Sequence, residues 1–229
     1  MPHLVIAGCP RSGTSLLMHS IRRLDNCFVA DGECMYDQRA ADYMRDVRCD
    51  LPVAWTVTKR PRDFERLPSI LSADPEARGL VILRDGRDVV CSRHPKKPDL
   101  YIVNPKRWHS YARLLHTLHM DERIYALRYE KFVSDYEWHM REIAQWMGCP
   151  LVGTWADVCD QLDPLNPVVQ AMNGVRPVSR GRIGVWRDPE HAERVLRVGN
   201  ILTEQLLAWG YEQDPHWMRR ITAGHGARA

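Results

Sequence analysis

The stretch from Leu4 to Leu24, LVIAGCPRSGTSLLMHSIRRL, limits what this chain can fold into more than any other. Leu4-Val5-Ile6-Ala7 is a short unbroken apolar run rich in β-branched residues, the signature of a strand buried on both faces. Gly8 to Gly13 is a tight polar turn. From Thr14 the apolar positions take a helical period, with Leu17, Ile21 and Leu24 on one face. A strand, a glycine loop and a helix in this order gather free N–H groups and a positive dipole end at one point, which makes an anion site. The plainer alternative is a strand–turn–helix whose arginine is simply solvated.

The spacing Gly8-x4-Gly13 is that of a phosphate-binding P-loop, but Thr14 stands where the Walker lysine would be. Arg11, inside the loop, is the replacement cation, and its fork of donors suits phosphate or sulfonate oxygens.

Composition closes off several function classes. A chain of 229 residues is expected to form one domain, 1–229, with a sizeable core. Its 32 basic and 29 acidic side chains leave a net charge of +3, too balanced for a general nucleic-acid or membrane-surface binder. The seven cysteines form no C-x-x-C pair and are odd in number, which favours free thiols in a reducing compartment over a disulfide framework. No apolar run approaches the roughly 18 residues of a membrane span. No basic region followed by a long apolar stretch opens the sequence, so no signal peptide is expected and the cytoplasm is the expected location.

Further along, Val53 to Val57 reads as a second strand, closed by Thr58-Lys59-Arg60-Pro61. Phe64 to Leu71 reads as a short helix and Asp37 to Val47 as a polar one. Leu80 to Leu83 is a third buried strand, followed by Arg84-Asp85-Gly86-Arg87-Asp88 and a helical Val89 to Arg93. His94 to Val103 reads as a loop. Trp108, Tyr111, Ala112, Leu115 and Leu118 mark a helix face, with Trp108 and Tyr111 expected in the core rather than as an acceptor platform. Ile124 to Leu127 is a fourth strand, Met140 to Met147 a helix stopped by Gly148 and Pro150, and Trp155 to Leu162 an ambiguous helical segment. After a stretch bearing proline and glycine, Asp163 to Trp186, a long helix runs from Ala192 to Trp209, and a frayed tail is expected over 214–229. Short buried strands alternating with helices predict an α/β fold, a mostly parallel central sheet with helices on both faces. In such sheets ligands sit beyond the carboxyl ends of the strands. That rule places Arg11, Lys59, Arg84 and Arg128-Tyr129 around one crevice, where four cationic strand ends suit a polyanion.

Pro10-Arg11-Ser12-Gly13-Thr14-Ser15 resembles the 5′-phosphosulfate loop of sulfotransferases that use 3′-phosphoadenosine-5′-phosphosulfate (PAPS). Arg84 followed eight residues later by Ser92 looks like the 3′-phosphate motif of that family. Lys59 matches the lysine that ends the second sheet strand in the tyrosylprotein-type branch, and Gly32-Glu33 resembles the Gly-Glu that carries its catalytic base. The arginine that follows in that branch is replaced here by Cys34-Met35-Tyr36, which leaves the acceptor class open. Arg128-Tyr129-Glu130 resembles the Arg-Tyr-Glu after the fourth strand. Ser179-Arg180-Gly181-Arg182-Ile183-Gly184-Val185-Trp186 resembles the cofactor lid Arg-Lys-Gly-x-x-Gly-x-Trp, with Ser179 and Arg180 in the first two places. The likeness runs in order from about residue 4 to residue 187.

The resemblance implies an enzyme that moves a sulfuryl group from PAPS to a hydroxyl, leaving 3′-phosphoadenosine-5′-phosphate (PAP). Arg11, Ser12, Gly13, Thr14 and Ser15 would hold the 5′-phosphosulfate. Arg84, Ser92 and, from a lid over 173–187, Arg180 and Gly181 would hold the 3′-phosphate, with Tyr129 also in the cofactor site. Glu33 is the expected base, with His94 as runner-up, and Arg11 and Lys59 would steady the leaving oxygen. No metal is expected. The acceptor could be a small molecule, a carbohydrate or a peptide, and the oligomeric state stays open. Two other readings remain: a P-loop kinase or NTPase with Asp85 holding Mg²⁺, and a non-catalytic module that binds PAP or another nucleotide.

Overall fold

The computed structural model describes residues 2–30, 32–36, 54–94, 97–166, 169–170, 174 and 176–221. Among them the main sheet has five strands: β1 (His3–Gly8), β2 (Cys27–Val29), β3 (Trp55–Lys59), β4 (Arg78–Leu83) and β7 (Ile124–Arg128). All are parallel, in the order β2-β3-β1-β4-β7, with the strand of the opening motif at the centre. A central parallel strand has helices on both its faces, which is why β1 is fully buried and reads as an unbroken apolar run.

Alternation within the strands divides the core. Val5, Ala7, Val81 and Leu83 point to one side, where α2 (Leu67–Ala73), α4 (Pro105–Leu118) and α8 (Ala192–Ala208) pack. Leu4, Ile6, Leu80 and Ile82 point to the other, against α1 (Thr14–Ile21) and α6 (Tyr136–Met147). The predicted helices on both faces are therefore present. Shorter helices α3 (Gly86–Val90), α5 (Tyr129–Ser134) and α7 (Trp155–Gln161) sit at strand ends and connections.

Several expectations are corrected. β2 was not expected, because three residues after an Asp-Asn turn give too short an apolar run to stand out. The stretch expected to be a loop over His94 to Val103 contains a hairpin of β5 (Arg93–His94) and β6 (Lys97–Tyr101). Its second strand is exposed and carries lysine and proline, so it shows none of the alternation that marks a half-buried strand. The expected fraying from Asp214 is absent as far as Ile221: Trp217 is 1% exposed, and its indole donates to Thr203 Oγ1 at 3.0 Å. The predicted helix from Asp37 to Val47 lies outside the described residues, as do Val53, Asn173 and 222–229. Cys27 and Cys149, though 3.8 Å apart at sulfur, are free thiols, like the other four described cysteines.

Candidate functional site

The opening loop is shaped by two close approaches. A methyl group on Gly8 would lie 2.4 Å from the Ile82 carbonyl, so only glycine lets β1 run this near β4. Gly13 has φ 101°, and a methyl there would strike the Tyr129 ring at 2.7 Å. Between them Arg11 holds φ 73°, a left-handed conformation that side chains other than Asn and Asp seldom adopt. Gly13 caps α1 and no side chain caps it, so the first amides of the helix are left for an anion.

The parallel register sets the strand ends side by side: Ile6 pairs with Lys59, Gly8 with Ile82, and Leu83 with Arg128. A cleft of about 520 Å³ opens beyond them. Arg11, Gly13, Thr14 and Ser15 line it from the loop, Lys59 from β3, Arg84 and Ser92 from either end of α3, and Glu33 from the turn after β2. Tyr129, at the start of α5, lines it too. Ser12, in the same loop, is fully buried and does not line the cleft. Of the residues predicted for the loop, the 3′-phosphate motif and the base, all but Ser12 thus line one cavity.

Lys59 is 2% exposed, yet its ammonium donates to Glu33 Oε1 at 2.6 Å. Burial pulls the Lys59 pKa below the usual lysine value, and the hydrogen bond and charge of Glu33 oppose that pull. The Glu33 side chain is 54% exposed, so the pair joins a buried cation to a solvent-facing carboxylate.

Arg84 is 7% exposed and held on several sides. Its Nη1 donates to the Arg11 carbonyl at 3.2 Å, and Nη2 donates to the Arg182 carbonyl and, at 3.4 Å, to Asp88 Oδ2. The guanidinium lies 4.5 Å over the Tyr129 ring. Trp108, fully buried as expected, donates from its indole to the Arg84 carbonyl at 2.9 Å and packs against Gly86. Ser92 Oγ donates to the Asp88 carbonyl at 3.0 Å. Burial lowers the Arg11 pKa, and the nearby Arg84, Arg182 and Arg176 lower it further, an excess of positive charge suited to an anion.

Some predicted residues lie elsewhere. Arg128 does not line the cleft; it donates to the Trp209 carbonyl at 3.2 Å and covers the Tyr211 ring at 3.9 Å. Glu130 accepts the Asp85 amide at 2.8 Å and the Tyr211 hydroxyl at 3.0 Å, fixing the backbone beside Arg84. Arg180 is exposed and donates to the Ser134 carbonyl at 2.9 Å, and Gly181 is exposed; neither is among the cleft-lining residues, whereas Arg176 and Arg182 are. His94 does line it. Asp85 spends both carboxylate oxygens on Arg87, so the aspartate that the kinase reading needs for Mg²⁺ is engaged.

Sequence reasoning missed Trp155, Glu190 and His191, which also line the cleft. Trp155 could have been found, because Thr154-x-x-Asp157 forms a capping box that starts α7 there. His191 carries no local signal; the chain brings it to the cleft through two short turns after residue 184.

A model described as "Sulfotransferase family" matches residues 19–153, more than half of the chain. Among solved structures, a mouse sulfotransferase, SULT7A1 complexed with PAP, aligns with TM-score 0.59 at 12% identity, covering 96% of this chain and 88% of that one. The sulfotransferase domain of the Synechococcus PCC 7002 olefin synthase gives 0.55 at 15% identity over 82% and 88%. Retinol dehydratase in complex with retinol and PAP gives 0.51 at 15% over 89% and 81%. Identities this low speak for the fold alone. No curated protein matches the chain in sequence.

Proposed function

The chain belongs to the sulfotransferase family, and on that footing we propose that it transfers a sulfuryl group from PAPS to a hydroxyl acceptor by in-line displacement. The observation that carries this reading is the meeting of buried Lys59 and Arg84 with the uncapped, glycine-shaped loop in one cleft. Each of these cations already has one carboxylate partner, Glu33 or Asp88, but Arg11, Arg176 and Arg182 add positive charge around the cleft that an anion would offset.

The residues present fit such a polyanion. Ser12 Oγ and Arg84 Nε are buried, with no hydrogen-bond partner in the protein, beside a helix start that lacks a side-chain cap. Arg11, Ser12, Gly13, Thr14 and Ser15 would hold the 5′ end through amides and hydroxyls. Arg84, Ser92 and Tyr129 would receive the 3′-phosphate and nucleoside end, with Arg182 and Arg176 closer at hand than Arg180 or Gly181. PAPS, when bound, supplies the activated sulfuryl group and a leaving phosphate oxygen.

The remaining chemistry belongs to Glu33, Lys59 and Arg11. In the pair as it stands, Lys59 holds Glu33 in place, and Glu33 keeps Lys59 charged against the pull of burial. Once Lys59 donates instead toward the reacting centre, Glu33 Oε1 is released to accept the proton of an acceptor hydroxyl. Lys59 and Arg11 would then offset charge on the leaving oxygen. The exposure of Glu33 supports an acceptor arriving from solvent; whether that is a small molecule, a carbohydrate or a peptide is the question for the test. Incubation with ³⁵S-labelled PAPS and an acceptor panel, read by mass spectrometry for an added SO₃, should show label transfer. No transfer to any hydroxyl together with tight PAP binding would instead support a PAP-binding module.

A further inference from the structure

Asp88 is fully buried on α3, four residues beyond Arg84. Its Oδ2 accepts the Gly184 amide at 2.8 Å and an Arg84 Nη2 hydrogen at 3.4 Å, and its Oδ1 accepts the Trp186 amide at 3.1 Å. A buried carboxylate survives only when such donors replace water. Here the donors come from two places: the cationic side chain at the end of β4, and the backbone that closes the segment 176–186.

That end of the segment is fixed a second time. Arg87, next to Asp88, lies 4.0 Å over the Trp186 ring and 5.0 Å from that of Trp217, and pairs with Asp85 and Glu212. By contrast, most of 176–182 is exposed; its side chains reach the body of the protein through contacts such as that of Arg180 with the Ser134 carbonyl. The Gly184–Trp186 end of the strip is therefore anchored on α3 through its amides, while further back the Arg182 carbonyl accepts from Arg84 and the Arg176 carbonyl from the Trp155 indole.

We infer that Asp88 is a positioning residue for sulfuryl transfer: its carboxylate ties the Arg84 guanidinium to a fixed hinge at Gly184–Trp186, so that the strip 176–183 is held over a cation already aimed. This rests on the PAPS reading above. A carboxylate is needed because two amides two residues apart take one oxygen each, while the negative charge answers Arg84. Asparagine would offer one oxygen and turn an NH₂ against an N–H.

The test measures PAP and AMP affinity by calorimetry for wild type and Asp88→Asn, with amide hydrogen exchange on both proteins free of ligand. Charge-assisted hydrogen bonds of this kind set the expected scale. Asp88→Asn should bind PAP at least about tenfold more weakly and change AMP affinity less than about threefold, since AMP lacks the 3′-phosphate that Arg84 would meet. The Gly184 and Trp186 amides should exchange slowly in wild type, and at least about tenfold faster in the variant. Unchanged PAP affinity, or equal losses for PAP and AMP, would overturn the inference. If Asp88→Asn does not fold, wild-type exchange decides: Gly184 and Trp186 amides as labile as those of 178–182 overturn it, and protected ones uphold it. A wild-type protein with no PAP affinity at all would instead sink the cofactor reading, an outcome separate from either result for the hinge.

Discussion

The two ends of the cleft are built on different terms. At the Arg84 end the cation is enclosed, stacked on Tyr129, and tied to the carbonyls of Arg11 in the loop and Arg182 in the strip 176–183. At the Lys59 end a single ion pair straddles the boundary between core and solvent. An enclosed, multiply held charge is preorganised for binding, because little must move when an anion arrives. A buried ammonium held by one exposed carboxylate can change partners, which is what a group acting only during transfer needs. The difference predicts that the first end governs affinity and the second governs rate.

The largest effect that could break this division is expected at Glu33. Glu33→Gln keeps the size and removes the base, so turnover should fall by about 10²–10⁴ while PAP affinity stays within a few-fold. Lys59→Ala should fall alike in rate. The pH profile sharpens the point. Glu33 raises a Lys59 pKa that burial lowers, so removing the carboxylate should let Lys59 lose its proton at lower pH. The residual activity of Glu33→Gln should then decline on the alkaline side earlier than that of wild type. A near-normal rate in Glu33→Gln would move the base to His94 or to the acceptor itself.

At the opposite end, Arg84→Ala should weaken PAP by at least about tenfold, since bonds to a charged donor are worth about 1.5–3 kcal/mol. Rate at saturating PAPS should suffer less than affinity. PAP should raise the melting temperature of the wild-type protein without Mg²⁺ and more than AMP does; equal shifts from the two would erase the contrast between the ends. A smaller effect is expected in proteolysis. PAP should slow cutting within 176–183 by several-fold, and protection appearing elsewhere would remove that segment from the cofactor site.

How legible these two ends were in the sequence follows from how each is made. The sheet and its loop could be read because a central parallel strand must be apolar on both faces, and because Gly8 and Gly13 meet neighbours that no other residue would clear. The placing of Lys59 and Arg84 at the cleft followed from the strand-end rule alone. The same rule misplaced Arg128, whose strand is at the edge of the sheet and whose side chain turns to Trp209 and Tyr211. Arg180 was named for its place in a motif, yet the backbone presents Arg182 and Arg176 to the cleft instead. Neither the Lys59–Glu33 contact nor the grip of Asp88 on Gly184 could be read, since each joins residues far apart in sequence through coordinates that no local pattern encodes. The hairpin at Arg93–Tyr101 was hidden for a third reason: exposed strands need no apolar code.

The smallest effect concerns a residue that meets the Arg84 end only through the backbone. Trp108 is wholly buried, and its indole N–H holds the Arg84 carbonyl at 2.9 Å while its ring fills the space over Gly86. Trp108→Phe would keep most of the packing and remove the donor, leaving a buried carbonyl without that bond. The cost should be about 1–3 kcal/mol of stability, the penalty for orphaning a buried acceptor. Because Arg84 keeps its other contacts, PAP affinity should change by less than about threefold. Denaturant unfolding of the variant, with and without PAP, separates the two quantities. A loss of PAP affinity as large as that of Arg84→Ala would show that the enclosed end depends on the backbone held by Trp108 as much as on the cation, and the sharp contrast between the two ends of the cleft would give way to a graded one.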